Sequence, residues 1–432
     1  MPSTIFISAG EASGEHYGAL LVAALQHQLA AAGQSAQFFG MGGPRMAAAG
    51  LECVVRSEDM AVMGLTEVVR HLPRIYREFR RLKRSIRQRR PSVAVLIDFP
   101  EIHFRLAKEF HRLGIPVIYF VSPQLWAWKK KRIHLVRKYI DEMLVIFPFE
   151  EPFYRGQGVP AEFVGHPLAE LPLPSISRED YARQAALIHQ DQWNWVGPWE
   201  GLPLPEGTKE IDGKIQYELD PRREWIALLP GSRMGEISRN LRAMVGAATI
   251  LDDKYEFLIP LAPTLTERQI KSIQYDLGDL YLPLNPRRVT FVRDARAALF
   301  HARASIVASG TATIEAALIG NPFVVVYRVS PLTFAIAKRV VKVPFVAMAN
   351  LIAGKQVVPE LLQSDFTAEN IVKHIEPLLP EGPDRQSMME ELARIRGLLC
   401  KKPEGSGDGG AIDRVAAITL EAMGRASGSL TA

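Results

Sequence analysis

Thr4-Ile-Phe-Ile-Ser8 runs into the turn Ala9-Gly10-Glu11-Ala12-Ser13-Gly14-Glu15. A stretch from about Tyr17 to Ala32 follows, with Leu20, Leu21, Ala24, Leu25 and Leu29 on one helical face. A short apolar run, a glycine-bearing turn and an amphipathic helix make one strand–helix unit. The unit recurs. Ser92-Val-Ala-Val-Leu-Ile-Asp98 is apolar throughout its interior, as a parallel strand covered on both faces must be. Gln37 to Gly40, Pro116 to Val121 and Glu142 to Phe147 read as further strands. In the second half the same reading applies to Trp225–Leu229, Tyr255–Leu261, Val289–Val292, Ser305–Ala308 and Pro322–Tyr327, with a helix from about Glu236 to Leu251. Strands alternating with helices predict an α/β fold, with two doubly wound parallel units in series.

The chain has 432 residues, beyond the roughly 300 at which one core stops growing. The expected division is residues 1–171, then an irregular stretch 172–223, then a second unit 224–365, then helices and a tail over 366–432. The irregular stretch holds Trp193, Trp195 and Trp199, and the tail is Gly/Ser-rich from Lys401 to Gly410. A composition of 47% hydrophobic residues excludes general disorder. Two cysteines, Cys53 and Cys400, cannot build a disulfide framework and suit a reducing compartment. No secretory leader and no apolar run of the ~18 residues needed to span a bilayer are expected.

The formal net charge of +5 is unevenly placed. From Arg70 to Arg90 there are ten Arg/Lys residues against one acid, Glu78, so this window carries +9 and the rest of the chain −4. Within it Ile75, Phe79, Leu82 and Ile86 form an apolar stripe, while Arg77, Arg80, Arg81 and Arg84 belong to the polar face. Just upstream lies the apolar loop Met60-Ala-Val-Met63-Gly-Leu65. A basic amphipathic helix beside an apolar loop suits an anionic membrane surface. The same stripe could instead dock on the protein core. Nucleic acid is not expected as a partner, because only Tyr76 offers a stacking surface among the arginines.

Ligands in open parallel sheets bind at the carboxyl ends of strands, which selects the loops to inspect. Glu11 and Glu15 make the first such turn acidic, which disfavours phosphate and suits sugar hydroxyls; it could also be a tight turn with solvated acids. Gly-x-Gly-x-x-Gly spacing is absent there, so a nicotinamide or flavin site is not supported. Asp98 ends an apolar strand, where a carboxylate can accept a proton from a substrate hydroxyl. It could equally be the N-cap of the next helix, and His103 is an alternative base. Gly231, Ser232 and Arg233, in Leu229-Pro-Gly-Ser-Arg233, combine backbone N–H groups, a helix N-terminus and a cation, which suits a diphosphate. Ser309, Gly310 and Thr311 open another helix with Glu315 one turn in, an arrangement for phosphate and ribose or simply a capped helix. Trp126 and Trp128 could bound an acyl or sugar site. No P-loop, Asp-x-Asp or zinc spacing occurs, so neither a metal nor any other cofactor is expected.

Seven short motifs, in order, resemble the lipid-A-disaccharide synthase family. They are Ala9-Gly-Glu-Ala-Ser-Gly14, Met60-Ala-Val-Met-Gly64, Ser122-Pro-Gln-Leu-Trp-Ala-Trp128, Val164-Gly-His-Pro167, Leu229-Pro-Gly-Ser-Arg233, Ala308-Ser-Gly-Thr-Ala312 and Asn350-Leu-Ile-Ala-Gly354. The resemblance implies a GT-B fold, two Rossmann-like domains facing a cleft with the C-terminal helices crossing back to the first. It implies an inverting, metal-independent transfer from UDP-2,3-diacylglucosamine to 2,3-diacylglucosamine 1-phosphate, giving the β-1,6-linked disaccharide 1-phosphate and UDP. The enzyme would lie on the cytoplasmic face of the inner membrane of a Gram-negative bacterium. Asp98 would be the general base and Arg233 would steady the leaving phosphates. Gly231, Ser232, Ser309, Gly310, Thr311 and Glu315 would hold the nucleotide, Glu11 and Ser13 would meet the acceptor sugar, and Asn350 would line the cleft. Met63, Leu65 and the arginines of the basic helix would touch lipid. A homodimer is left open, and another GT-B enzyme, a soluble UDP-sugar transferase or epimerase, is the alternative reading. The Trp-rich stretch departs from the family pattern.

Overall fold

The computed structural model describes residues 3–60, 65–128, 130–187, 208–211, 214–217, 219–262, 265–278, 289–341, 343–400 and 409–428, and of 65–72 the backbone alone. Met63, Lys129, the three tryptophans at 193, 195 and 199, and residues 401–408 lie outside the described residues. The chain divides into two compact units, Met1–Glu170 with Leu398–Ala432, and Leu171–Gly397.

The first unit is built on seven parallel strands, β1 (Ser3–Ala9), β2 (Ala36–Gly42), β3 (Glu52–Arg56), β4 (Val93–Ile97), β5 (Val117–Phe120), β6 (Glu142–Val145) and β7 (Ala161–Phe163). Their order is β3-β2-β1-β4-β5-β6-β7, with β1 between β2 and β4 through Ile5 opposite Phe38 and Val93. The helices are α1 (Ala12–Ala31), α2 (Pro44–Ala48), α3 (Leu65–Arg89), α4 (Pro100–Arg112), α5 (Ile133–Tyr139) and α6 (Glu150–Arg155). Every residue of β4 is buried, as expected for a strand with helices on both faces.

Helix α3 settles its stripe inward. Leu82 and Ile86 are fully buried in the core, with Ile75 and Phe79 packed beside them. Arg77, Arg80, Arg81 and Arg84 are therefore left outside, all exposed. Glu78 pairs with Arg77 and Arg81.

The second unit carries α7 (Arg178–Leu187), a small antiparallel pair β8 (Thr208–Ile211) and β9 (Lys214–Tyr217), and a parallel sheet. That sheet holds β10 (Glu224–Leu229), β11 (Tyr255–Pro260), β12 (Val289–Val292), β13 (Ala304–Ala308), β14 (Phe323–Tyr327) and β15 (Glu360–Leu362), ordered β12-β11-β10-β13-β14-β15. Its helices are α8 (Met234–Ile250), α9 (Glu267–Gly278), α10 (Ala295–His301), α11 (Thr311–Ile319), α12 (Pro331–Val340), α13 (Met348–Ala353), α14 (Ala368–Ile375) and most of α15 (Pro383–Leu399).

The last helix, α16 (Ala411–Gly428), belongs to the first unit and packs on α1. Gln28 Nε2 donates to the Asp413 carbonyl at 3.0 Å, and Arg414 forks onto Glu162 of β7 at 2.6 and 2.9 Å.

Three differences from expectation have physical causes. Helix α1 starts at Ala12 rather than near Tyr17, because Ala, Ser and Gly fill its first turn and mimic a loop. Strands β3, β7 and β15 show no sequence signal, being three residues long or polar at both ends. The stretch 172–223 includes helix α7 and the pair β8–β9 among the described residues. Helix α7 anchors through Tyr181 and Ala182, while Arg178 lies 3.7 Å over the Trp225 ring and donates to the Pro221 and Arg223 carbonyls. Two apolar anchors are too few to make a periodic pattern.

Candidate active site

In the first unit the turns after β1 and β4 meet. Glu11 is the N-cap of α1, extended and exposed, and its side chain makes no capping hydrogen bond. Ser13 is half-buried in the first turn. Glu15 is occupied elsewhere, accepting from the Arg45 backbone N–H at 2.8 Å. Glu15 of the expected acidic turn is thus committed within the protein.

Asp98 and Phe99 both adopt left-handed backbone (φ 51°), an uncommon state for residues other than glycine. Phe99, not Asp98, is the N-cap of α4, and Pro100 opens the helix. The capping reading of Asp98 therefore falls. Burial, with a contribution from the Glu11 charge, pushes the Asp98 carboxyl up to about 6. A carboxylate poised near neutrality at a strand end can take a proton from an alcohol.

The Asp98 carbonyl, in contrast to the carboxyl, is clamped. His103 Nδ1 lies 2.5 Å from it and the Tyr119 hydroxyl donates to it at 2.6 Å. A carbonyl only accepts, so Nδ1 carries the proton and Nε2 accepts from Ser8 Oγ at 2.8 Å. His103 is fully buried, and burial holds it neutral, down to about 3. The alternative that His103 is the base is corrected on this ground: both ring nitrogens are engaged and the ring resists protonation.

A cluster whose acid has no sequence signal follows β5 and β6. Glu150 is buried and accepts from Ser122 Oγ (2.5 Å), Trp126 Nε1 (3.0 Å) and the Phe147 N–H (3.2 Å). Burial pushes it up to about 7 despite these bonds. Trp126 is thus tied down by its indole, whereas Trp128 is 40% exposed. In sequence Glu150 looks like an ordinary acid in the first turn of a helix.

In the second unit, Gly231 has φ 119° and a Cβ there would meet Glu236 at 2.6 Å. Arg233 is the N-cap of α8. Glu236 accepts from the Ser232 N–H at 3.3 Å and from Arg233 Nη1 at 3.2 Å, so a carboxylate sits where the turn's donors converge. At the end of β13, Ser309 is half-buried, while Gly310 and Thr311 are exposed. Gly310 caps α11 with nothing near the place of a Cβ. Glu315 lies beyond the capping-box position; burial raises its carboxyl, opposed by Arg296.

Asn350 is placed differently from expectation. It is fully buried, donating to the Val358 carbonyl and Glu360 Oε1 and accepting from the Val357 and Val358 N–H groups at 2.7–2.9 Å. With its amide committed, it shapes the chain before β15 and offers nothing to a ligand. Of Leu65 only the backbone is described.

The sequence profile of the lipid-A-disaccharide synthetase family matches residues 5–193 and 203–401. The chain belongs to that family. A lipid-A-disaccharide synthase from Acidobacterium capsulatum is 53% identical over 98% of this chain and 96% of its own. Two solved glycosyltransferase-fold neighbours share the architecture: the calicheamicin glycosyltransferase CalG4 (TM-score 0.55, 17% identity, 98% of this chain and 99% of that one) and MurG of Acinetobacter baumannii (TM-score 0.51, 16% identity, 98% and 100%). The fold class is thus that of the GT-B glycosyltransferases. The family profile runs through both strand-end clusters, so Asp98 and Arg233 lie in family sequence. Among the described residues no group of three or more His, Cys, Asp or Glu could hold a metal, and no helix is long and apolar enough to cross a membrane.

Proposed function

We propose that this member of the family condenses UDP-2,3-diacylglucosamine with 2,3-diacylglucosamine 1-phosphate, forming the β-1,6-linked lipid A disaccharide 1-phosphate and releasing UDP. Family identity of 53% over nearly the whole chain carries this reading. In the proposed step the acceptor's 6-hydroxyl oxygen attacks the anomeric carbon while the bond from that carbon to the UDP oxygen breaks. The hydroxyl proton goes to Asp98, and the electron pair leaves on UDP. A single displacement inverts the anomeric centre.

The raised carboxyl of Asp98 supports its role as proton acceptor. Glu11, whose charge reaches Asp98, and Ser13 meet the acceptor sugar. Arg233 and the N–H groups of Gly231 and Ser232 neutralise the departing diphosphate, which displaces Glu236 from Arg233 and Ser232. Ser309, Gly310 and Thr311 hold the nucleotide at the open start of α11, with Glu315 toward the ribose. Cationic donors of this kind can stabilise a leaving diphosphate without a metal.

The lipid substrates place the chemistry at a membrane, and the outward arginines of α3 suit the anionic cytoplasmic face of an inner membrane. The test is to mix the purified chain with both lipids in EDTA and record the anomeric proton of the product by NMR. A β-linked disaccharide formed at an undiminished rate supports the reading. An α-linked product, or dependence on a divalent cation, contradicts it.

A further inference from the structure

We infer that His103 and Tyr119 are positioning residues for Asp98, holding its peptide carbonyl so that the left-handed turn aims the carboxylate at the acceptor hydroxyl. The inference rests on the proposed role of Asp98 as base.

The geometry is over-determined. Four hydrogen bonds restrain the backbone of the Asp98–Phe99 turn: the Asp98 N–H donates to the Phe120 carbonyl at 3.0 Å, the Asp98 carbonyl accepts from His103 and Tyr119, and the Phe99 carbonyl accepts from the His103 N–H at 3.2 Å. Left-handed conformation at two consecutive non-glycine residues costs energy and persists only where the surroundings impose it. Here β5 supplies Tyr119, α4 supplies His103, and β1 supplies Ser8, whose hydroxyl donates to the unprotonated Nε2 and holds the ring. His103 and Tyr119 are completely buried, so neither reaches substrate. The titratable groups around the turn are Glu11 from the β1 side, His103 from α4 and Tyr119 from β5. The Glu101–Arg132 ion pair lies at the start of α4.

Removing a donor frees the carbonyl, relaxes the turn toward ordinary backbone and lets the carboxylate tip into water. Misplacing a reacting group by about 1 Å can cost ~10²-fold in rate. Tyr119→Phe keeps the ring and loses only the hydroxyl. His103→Phe loses the imidazole donor. His103→Asn returns an amide N–H near the place of Nδ1.

The experiment measures kcat, KM and the pH profile of kcat/KM for these variants and for Asp98→Asn, each checked for folding by thermal melting. We expect kcat to fall about 10-fold for Tyr119→Phe and up to ~10²-fold for His103→Phe, with KM within about twofold. The acid limb should move to lower pH as Asp98 becomes hydrated, and His103→Asn should recover most of the loss. Folded variants with unchanged kcat and an unmoved acid limb would overturn the inference, as would a loss confined to KM. If Asp98→Asn keeps the wild-type rate, it is the base assignment that fails. If Asp98→Asn is dead while Tyr119→Phe and His103→Phe are normal, the positioning role alone fails.

Discussion

A Cβ atom on Gly10 would lie 2.3 Å from Cδ1 of Phe99. The first residue after β1 therefore carries no side chain because the residue after Asp98 occupies its space. The contact ties together the two turns that hold Glu11 and Asp98. Gly10→Ala must push the Phe99 ring, and with it the left-handed turn. We expect a loss of stability of about 1–3 kcal/mol, the usual cost of overpacking, and a fall in turnover of about 10-fold or more from displacement of Asp98. Thermal melting and initial rates on one preparation check both.

Asp98 should trade stability for function. Its folded carboxyl titrates near 6, above its ordinary value. The folded state therefore binds the proton more tightly than the unfolded state. Its ionisation costs nothing in strong acid, an increasing amount as the pH rises from about 4 to 6, and the full amount above that. Asp98→Asn should remove this penalty, on the order of 3 kcal/mol, raising Tm at about pH 7.5 but scarcely at about pH 3.5, while abolishing turnover. An equal Tm shift at both pH values would speak against a buried ionised carboxylate. In the wild type, kcat/KM should lose its activity as the pH falls through about 6.

Arg233 is half-exposed, with Glu236 as its ion-pair partner. Arg233→Ala should lower kcat by at least ~10²-fold, the order lost when a donor to developing charge is removed. The surrounding fold loses little, because an exposed pair contributes under about 1 kcal/mol. A kcat within a few-fold of wild type would remove Arg233 from the chemistry.

The basic helix gives a sharper membrane test than its charge alone. Arg77 and Arg81 serve Glu78, so reversing them would disturb an internal pair. Arg80 and Arg84 have no acidic partner among the described residues, and Arg80 rests over the Tyr76 ring. Each cation near an anionic surface contributes about 1 kcal/mol. Replacing Arg80 and Arg84 by Glu should weaken co-sedimentation with phosphatidylglycerol-rich vesicles by ~10²-fold or more, with Tm unchanged. Unchanged sedimentation would make α3 an ordinary solvated face.

Much of this was legible in sequence because it rests on apolar runs. The interior of β4 could only be a covered parallel strand, and the stripe Ile75, Phe79, Leu82 and Ile86 could only be one helix face. Glycine-bearing turns at strand ends pointed to Gly10, Gly231 and Gly310 without knowledge of their neighbours. What escaped was long-range. His103 engages Ser8 across 95 residues of sequence, and Glu150 gathers Ser122 and Trp126 from the loop after another strand. Asn350 looked like a ligand because an asparagine in a family motif and one that satisfies four backbone and side-chain groups are identical on paper. The left-handed Asp98–Phe99 turn has no composition signal either, since neither residue is glycine.

Everything above turns on the transfer of acylated glucosamine from UDP to an acylated glucosamine 1-phosphate. The most direct measurement is the mass spectrum of the lipid product, with UDP release followed in parallel, when the purified chain is given UDP-2,3-diacylglucosamine and 2,3-diacylglucosamine 1-phosphate. We expect one disaccharide 1-phosphate and one UDP per turnover, and none from unacylated UDP-N-acetylglucosamine. UDP release without disaccharide, or turnover of the unacylated sugar alone, would contradict it.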